Sequence, residues 1–167
     1  MKEYPVEELT QPMLTQLPQG AFLTVKDSDG KINTMTIGWG SVGYIWGKMA
    51  FMVMVRRSRY TYQLMEQAQD FTISFPAPGQ MRQELAFCGT QSGRVVDKFT
   101  CASLQAQAAR QVNSPVVGGC DIYLECRLSL KSMLNEGDTG AAVLGDWYPN
   151  GDLHMLYFGE IVACYRS

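Results

Sequence analysis

The sequence predicts a mainly β chain with a few helices. Three observations predict it: strand-like apolar segments outnumber helix-like ones, turn residues separate them, and two long strand-like segments close the chain. Of the 167 residues, 46% are hydrophobic and 18% charged, enough to bury a sizeable core and unlike a disordered chain. The length suits one domain and the composition does not shift along it, so residues 1–167 read as a single domain.

Residues 20–26 read as the first strand. Asp27, Ser28, Asp29 and Gly30 have the turn chemistry to lead into a second strand near Ile32, which makes a hairpin. Residues 49–55 form the next apolar run, too short to span a bilayer as a helix but suited to a buried strand. A helix is predicted over 58–69, where Tyr60, Leu64 and Ala68 recur at helical spacing. Residues 71–75 read as a strand that Pro76 and Pro78 interrupt, and 80–87 as a short helix before Gly89 and Gly93. A further helix is predicted over 103–112, stopped by Pro115. Long strands over 121–133 and 153–165 follow, joined by a connection rich in Gly, Asp, Pro and Asn.

A net charge of −2 supplies no general attraction to nucleic acid or to an anionic membrane, so neither is expected as a partner. Basic residues interleaved with Tyr60 and Tyr62 are the one hint of single-stranded nucleic-acid binding, and the acidic balance opposes it. The first twenty residues carry Glu3, Glu7 and Glu8 and no continuous apolar stretch, so a cytoplasmic location is expected. Five cysteines without a C-x-x-C pair suit free thiols in a reducing compartment. The only histidine, His154, has no cysteine at ligand spacing, and no metal site is expected.

Charge placement is more informative than charge total. Arg56, Arg57 and Arg59 fall within four positions where a strand enters a helix, beside the hydroxyls of Ser58 and Thr61. Unpaired N–H groups, the positive end of the helix dipole and these side chains can converge on a phosphate. Taken alone, the segment reads as a solvated basic turn with Ser58 as N-cap. A second anion grip is suggested by residues 88–98, where Gly89 and Gly93 let the backbone approach a ligand. Thr90 and Ser92 donate there, and Arg94 and Lys98 neutralise charge. Its spacing matches neither a Walker A loop nor G-x-G-x-x-G, and alone it reads as a surface loop. A third segment, residues 33–40, alternates Thr34 and Thr36 against Met35, Ile37 and Trp39. Gly38, Gly40 and Gly43 weaken it as a strand, which suits either a flat ligand against the backbone or a barrel corner.

In order along the chain, NTMTIGWGSVGYIWGK at 33–48, VRRSRYTYQLM at 55–65, FTISFP at 71–76, CGTQSGRVVDKF at 88–99, LECRL at 124–128 and GEIV at 159–162 resemble the flavin reductase-like family of FMN-binding split barrels, and its flavoredoxin-like branch in particular. The resemblance implies a six-stranded split β-barrel paired as a homodimer whose interface helps form each site, with FMN as cofactor. It places Asn33, Thr34, Met35, Thr36, Ile37 and Trp39 along the isoalloxazine, mainly through backbone groups. Arg57, Ser58, Tyr60 and Thr61 are then expected on the ribityl phosphate, with Ser92, Gly93, Arg94 and Lys98 as the other half of the grip. Val95 stands where the family often carries an acidic residue.

The chemistry so implied is an oxidoreductase passing a hydride from NADH or NADPH to flavin, and electrons onward to an acceptor the sequence does not name. The protein aligns the partners and excludes water, while the cofactor carries the reaction. His154 is the candidate polar contact at the substrate face, with a structural role as the alternative. The other functional reading is a flavin electron carrier, or a cofactor-binding barrel, reduced by a partner protein.

Overall fold

Strand alternation feeds two cores from one sheet. The structure, a computed structural model, describes residues 1–167. A two-residue strand β1 (Lys2–Glu3) and helix α1 (Val6–Gln16) precede the hairpin of β2 (Ala21–Lys26) and β3 (Ile32–Ile37). Its turn is closed by the Asp27 carboxylate, which accepts from the N–H groups of Asp29 and Lys31. Along β2, Ala21, Leu23 and Val25 face the main core, while Phe22 faces a second cluster on the opposite side, so both faces of the strand are buried.

The chain continues through β4 (Gly40–Ile45), β5 (Lys48–Arg56), helix α2 (Tyr60–Gln67), β6 (Asp70–Phe75), helix α3 (Arg82–Thr90) and the single turn α4 (Lys98–Cys101). A small ribbon of β7 (Ala106–Gln107) and β8 (Val116–Val117) leads to β9 (Ile122–Met133), and helix α5 (Ala141–Trp147) separates that strand from β10 (His154–Arg166). The main sheet runs β3-β2-β6-β9-β10-β5-β4, with β1 added beside β10. β3 and β4 are its opposite edges, yet only Gly38 and Trp39 join them. So short a link spans at most about 11 Å. The sheet must therefore curl until its edges meet, and since no pairing joins β3 to β4 the barrel is split there.

The six strands expected from the sequence are present, and β4 adds another at the edge. Its glycines had read as a weakened segment. At Gly40 a Cβ would lie 2.8 Å from the Phe51 ring and 2.9 Å from the Met52 carbonyl oxygen, so close strand packing requires glycine. Gly159 serves the same purpose at a register shift in β10, where a Cβ would meet Phe71 and Cys126 at 2.7 Å.

Helix α1 closes one side of the main core with Val6, Leu9 and Met13, a helical spacing not picked out from the sequence. The helix predicted over 103–112 does not form. Ser103 takes a left-handed conformation at φ 53°, and downstream backbone donors turn to buried carboxylates instead. Glu125 accepts from the N–H groups of Arg110 and Gln111, and Asp70 from those of Asn113 and Ser114. Tertiary hydrogen bonds thus satisfy a backbone that a helix would otherwise have to. Helix α5 occupies the connection read as loop. No helix is long and apolar enough to cross a membrane.

Candidate functional site

The site begins where β5 ends. Val53 and Val55 point into the core, so alternation sends Met54 and Arg56 to the outer face. His154 lies opposite Arg56 in the ladder and shares that face. Beyond the strand, Arg57 turns away and its guanidinium approaches the Met133 sulfur at 3.9 Å, whereas Arg59, the residue before α2, turns inward and donates to the Gly89 carbonyl. The first turn of α2 has no side-chain cap, and the Tyr60 and Thr61 N–H groups have no acceptor in the protein.

The loop after α3 closes over this turn. Gly93 comes so near that a Cβ would strike the Asn33 carboxamide and sit 2.8 Å from the Tyr60 ring. Only glycine allows that approach. Ser92 steadies the loop by accepting from Arg94 N–H, and Arg94 spans the Tyr60 ring at 5.5 Å while donating to the Ser58 carbonyl. Lys98 is 5% exposed, and its ammonium donates to the Cys88 carbonyl at 2.7 Å.

Two cavities, of about 170 and 180 Å³, share Met35 and Arg59 and form one groove. One half lies along the edge strand β3 from Met35 to Ile37, then Trp39, with Met54, Arg56 and His154 opposite. As a sheet edge, β3 leaves alternate backbone groups unpaired toward its neighbour. The other half is lined by Tyr60, Thr61, Ser92, Gly93, Arg94 and Lys98. Trp147 stands edge-on to Trp39 with centroids 4.8 Å apart, and Tyr148 Oη lies 2.6 Å from His154 Nδ1. Arg56 anchors this cover by donating to the carbonyls of Trp147 and Asp152.

The groove's electrostatics are one-sided. All four ion pairs in the protein lie elsewhere, so Arg56, Arg59, Arg94 and Lys98 have no carboxylate within 4.0 Å. Burial, opposed in part by Cys88 and reinforced by Arg59, pushes the Lys98 ammonium down to about 8. Burial also lowers His154 to about 4, with Arg56 adding to the effect, and the ring is neutral at pH 7. A buried ammonium beside two guanidinium groups without carboxylate partners, Arg59 and Arg94, is costly alone and favourable with an anion between them.

Most residues singled out from the sequence meet in this groove, but three do not. Thr34 is fully buried, its hydroxyl donating to the Leu23 carbonyl and accepting from Thr24, so it offers nothing to a ligand. Asn33 lies behind the groove, where its amide supports Thr61 at 2.8 Å. Arg57 faces the other way. Ser58 lines the groove, but its N–H and hydroxyl both donate to the Asp152 carboxylate, at 3.0 and 2.7 Å. Thr36 lines it too, with its hydroxyl donated to the Leu85 carbonyl. The basic cluster marked Arg56, Arg57 and Arg59 together, but the resemblance selected Arg57, whereas Arg56 and Arg59 are the two that line the groove. Alternation along β5 was a signal for Arg56, and no local pattern marked Tyr148 or Asp152.

Comparison with known proteins bears on the family and the fold. The flavin reductase like domain matches residues 14–167. An uncharacterised protein of Archaeoglobus fulgidus is 27% identical over 132 residues, covering 79% of this chain, which spans 64% of that relative's length. Flavoredoxin from Methanosarcina acetivorans superposes with a TM-score of 0.68 at 26% identity, over 89% of this chain and 68% of its own. The FMN-binding protein from Thermus thermophilus, with bound 1-cyclohex-2-enone, gives 0.66 at 22% identity over 88% and 69%, a likeness that shows the fold. With almost the whole chain matched by one family and the split sheet shared with solved structures, the protein belongs to the flavin reductase-like family.

Proposed function

We propose that the groove binds FMN and that the chain is an oxidoreductase passing electrons from NADH or NADPH through it to an acceptor. One observation carries this reading: Arg59, Arg94, Lys98 and free helix N–H groups occupy one end of a groove whose other end is a strand edge carrying Met35, Ile37 and Trp39. The residues suit the group. Arg59, Arg94, Lys98 and the N–H groups of Tyr60 and Thr61 are placed to hold a phosphate, and the β3 edge from Met35 to Trp39 suits a flat ring with polar edges. Once bound, the flavin supplies hydride and single-electron transfer. The chain's own residues orient it, and Trp39 and Trp147 restrict water at the open side. Ser58 acts here through Asp152, tying the cover to the phosphate end.

We extend the proposal to a homodimer. β4 is an unpaired sheet edge, and the turn after it exposes Trp46 by 71%, with Tyr44 on β4 itself exposed by 72%. A second copy is the occupant that protects such an edge.

The test is the absorption spectrum of the purified protein loaded with FMN, before and after anaerobic NADH and then NADPH. A flavin band that bleaches with either nucleotide supports the reading and names the donor. A band that persists with both points to a carrier reduced by a partner protein. Failure to bind FMN overturns the assignment.

A further inference from the structure

Tyr148 has no role in holding a phosphate, yet it is 6% exposed and its hydroxyl meets the only histidine of the chain. The His154 ring lines the groove beside Trp39 with centroids 5.5 Å apart. Its Nδ1 is taken by Tyr148. Nε2 has no protein partner, and no buried side-chain nitrogen is left unpaired, so Nε2 is open to a ligand.

The direction of the Tyr148–His154 bond follows from the groups around it. Arg56 of β5 lies over the Tyr148 ring at 5.0 Å, which favours a hydrogen bond given by the phenol over one accepted by it. If Nδ1 donated instead, a buried phenol hydroxyl would lose the only protein acceptor it has, at a cost comparable to a missing hydrogen bond. The other charged groups facing the imidazole are Asp152 from the connection and Arg59 from the turn before α2.

We propose that Tyr148 is a positioning residue that holds His154 in its neutral, Nε2-protonated form, so that this end of the groove selects a ligand atom that accepts a hydrogen bond, a carbonyl or an oxyanion. The ligand's identity rests on the reading of the groove as a flavin site, while the tautomer does not. Burial and Arg56 keep the ring neutral, and the donor is therefore present unchanged across the neutral range. The acceptor atom is either on the flavin ring or on the molecule that exchanges electrons with it.

Nitrogen-15 NMR on the full chain tests this directly, because a single histidine leaves no ambiguity of assignment. The expected spectrum shows the neutral Nε2–H tautomer from about pH 5.5 to about pH 8, with the Tyr148 hydroxyl proton correlated to Nδ1. Tyr148→Phe keeps the burial and the Arg56 charge that hold the ring neutral but removes the hydroxyl donor to Nδ1, and it is expected to mix the two neutral tautomers. A predominant Nδ1–H tautomer in the unmodified chain overturns the proposal whether or not the variant folds. So does a folded Tyr148→Phe variant whose histidine signals are unchanged. FMN added alone, and then cyclohexanone added to the FMN-loaded chain, separates the two sources of the acceptor. Movement of the Nε2–H signal with FMN places the acceptor on the flavin, and movement only with cyclohexanone places it on the substrate. Movement with neither overturns the selection. Loss of FMN binding with the tautomer intact would defeat the flavin reading and leave the Tyr148 assignment standing.

Discussion

Lys98 is the residue on which the electrostatic argument turns. Its ammonium is buried with one carbonyl as partner and no carboxylate, a state that an incoming phosphate relieves. Lys98→Ala is therefore expected to weaken FMN binding about 10- to 100-fold, the equivalent of about 1.4–2.7 kcal/mol, and to leave riboflavin binding unchanged. Fluorescence-quenching titration checks both. The pH dependence has a definite sign. A phosphate favours the charged ammonium, so affinity is full below the free-state value of about 8 and falls as pH rises through it, and the variant should lose that limb. Arg59→Ala is expected to resemble Lys98→Ala, whereas Arg57→Ala, whose guanidinium points away, should change FMN affinity less than about 2-fold in the same titration. The crowding of arginines at 56–59 was legible in the sequence. Which of them faces the groove was not, because alternation fixes the face of a residue only within the strand, and the phase at which the strand hands over to a helix is set by the turn.

Among the elements, the segment 103–115 shows most clearly what local pattern cannot reveal. Its composition reads as a helix, yet its donors are claimed by Glu125 on β9 and Asp70 on β6, residues distant in sequence. Glu125 is fully buried and also accepts from the Tyr165 hydroxyl at 2.7 Å, and burial, with this bond adding to it, pushes that phenol far above its ordinary value. Glu125→Ala leaves three donors without an acceptor and is expected to cost about 3 kcal/mol or more in urea unfolding. Limited proteolysis should then cut first between 103 and 115. The hairpin of β2 and β3 and the long closing strands were legible because alternation and turn residues agree there. α1 had a readable spacing at Val6, Leu9 and Met13, interrupted by Pro12. α5 buries no residue in this chain and left no apolar stripe to find.

For the whole molecule, closure of the sheet brings the ends of β3 and β5, the start of α2 and the loop before α4 to one groove. The order of motifs along the chain announced the family: those at 33–48, 55–65 and 88–99 hold a strand end or a helix start at the groove, whereas those at 124–128 and 159–162 lie within β9 and β10, the long strands at the middle of the sheet. The exposed β4 edge belongs to this scale too. If the proposed homodimer forms through this edge, Trp46→Lys is expected to sediment as a monomer at micromolar concentration while the unmodified chain sediments as a dimer, and a variant that sediments as the unmodified protein does would move the interface elsewhere. In the proposed site, three cations, Arg59, Arg94 and Lys98, and two helix N–H groups form a phosphate grip beside a flavin-ring groove. The most direct measurement is the ratio of the dissociation constants of FMN and riboflavin for the unmodified chain at low salt. FMN is expected to bind about 100-fold more tightly or better, with the margin shrinking as salt is added. Equal affinities would show that the phosphate is not held there and would contradict the proposed site.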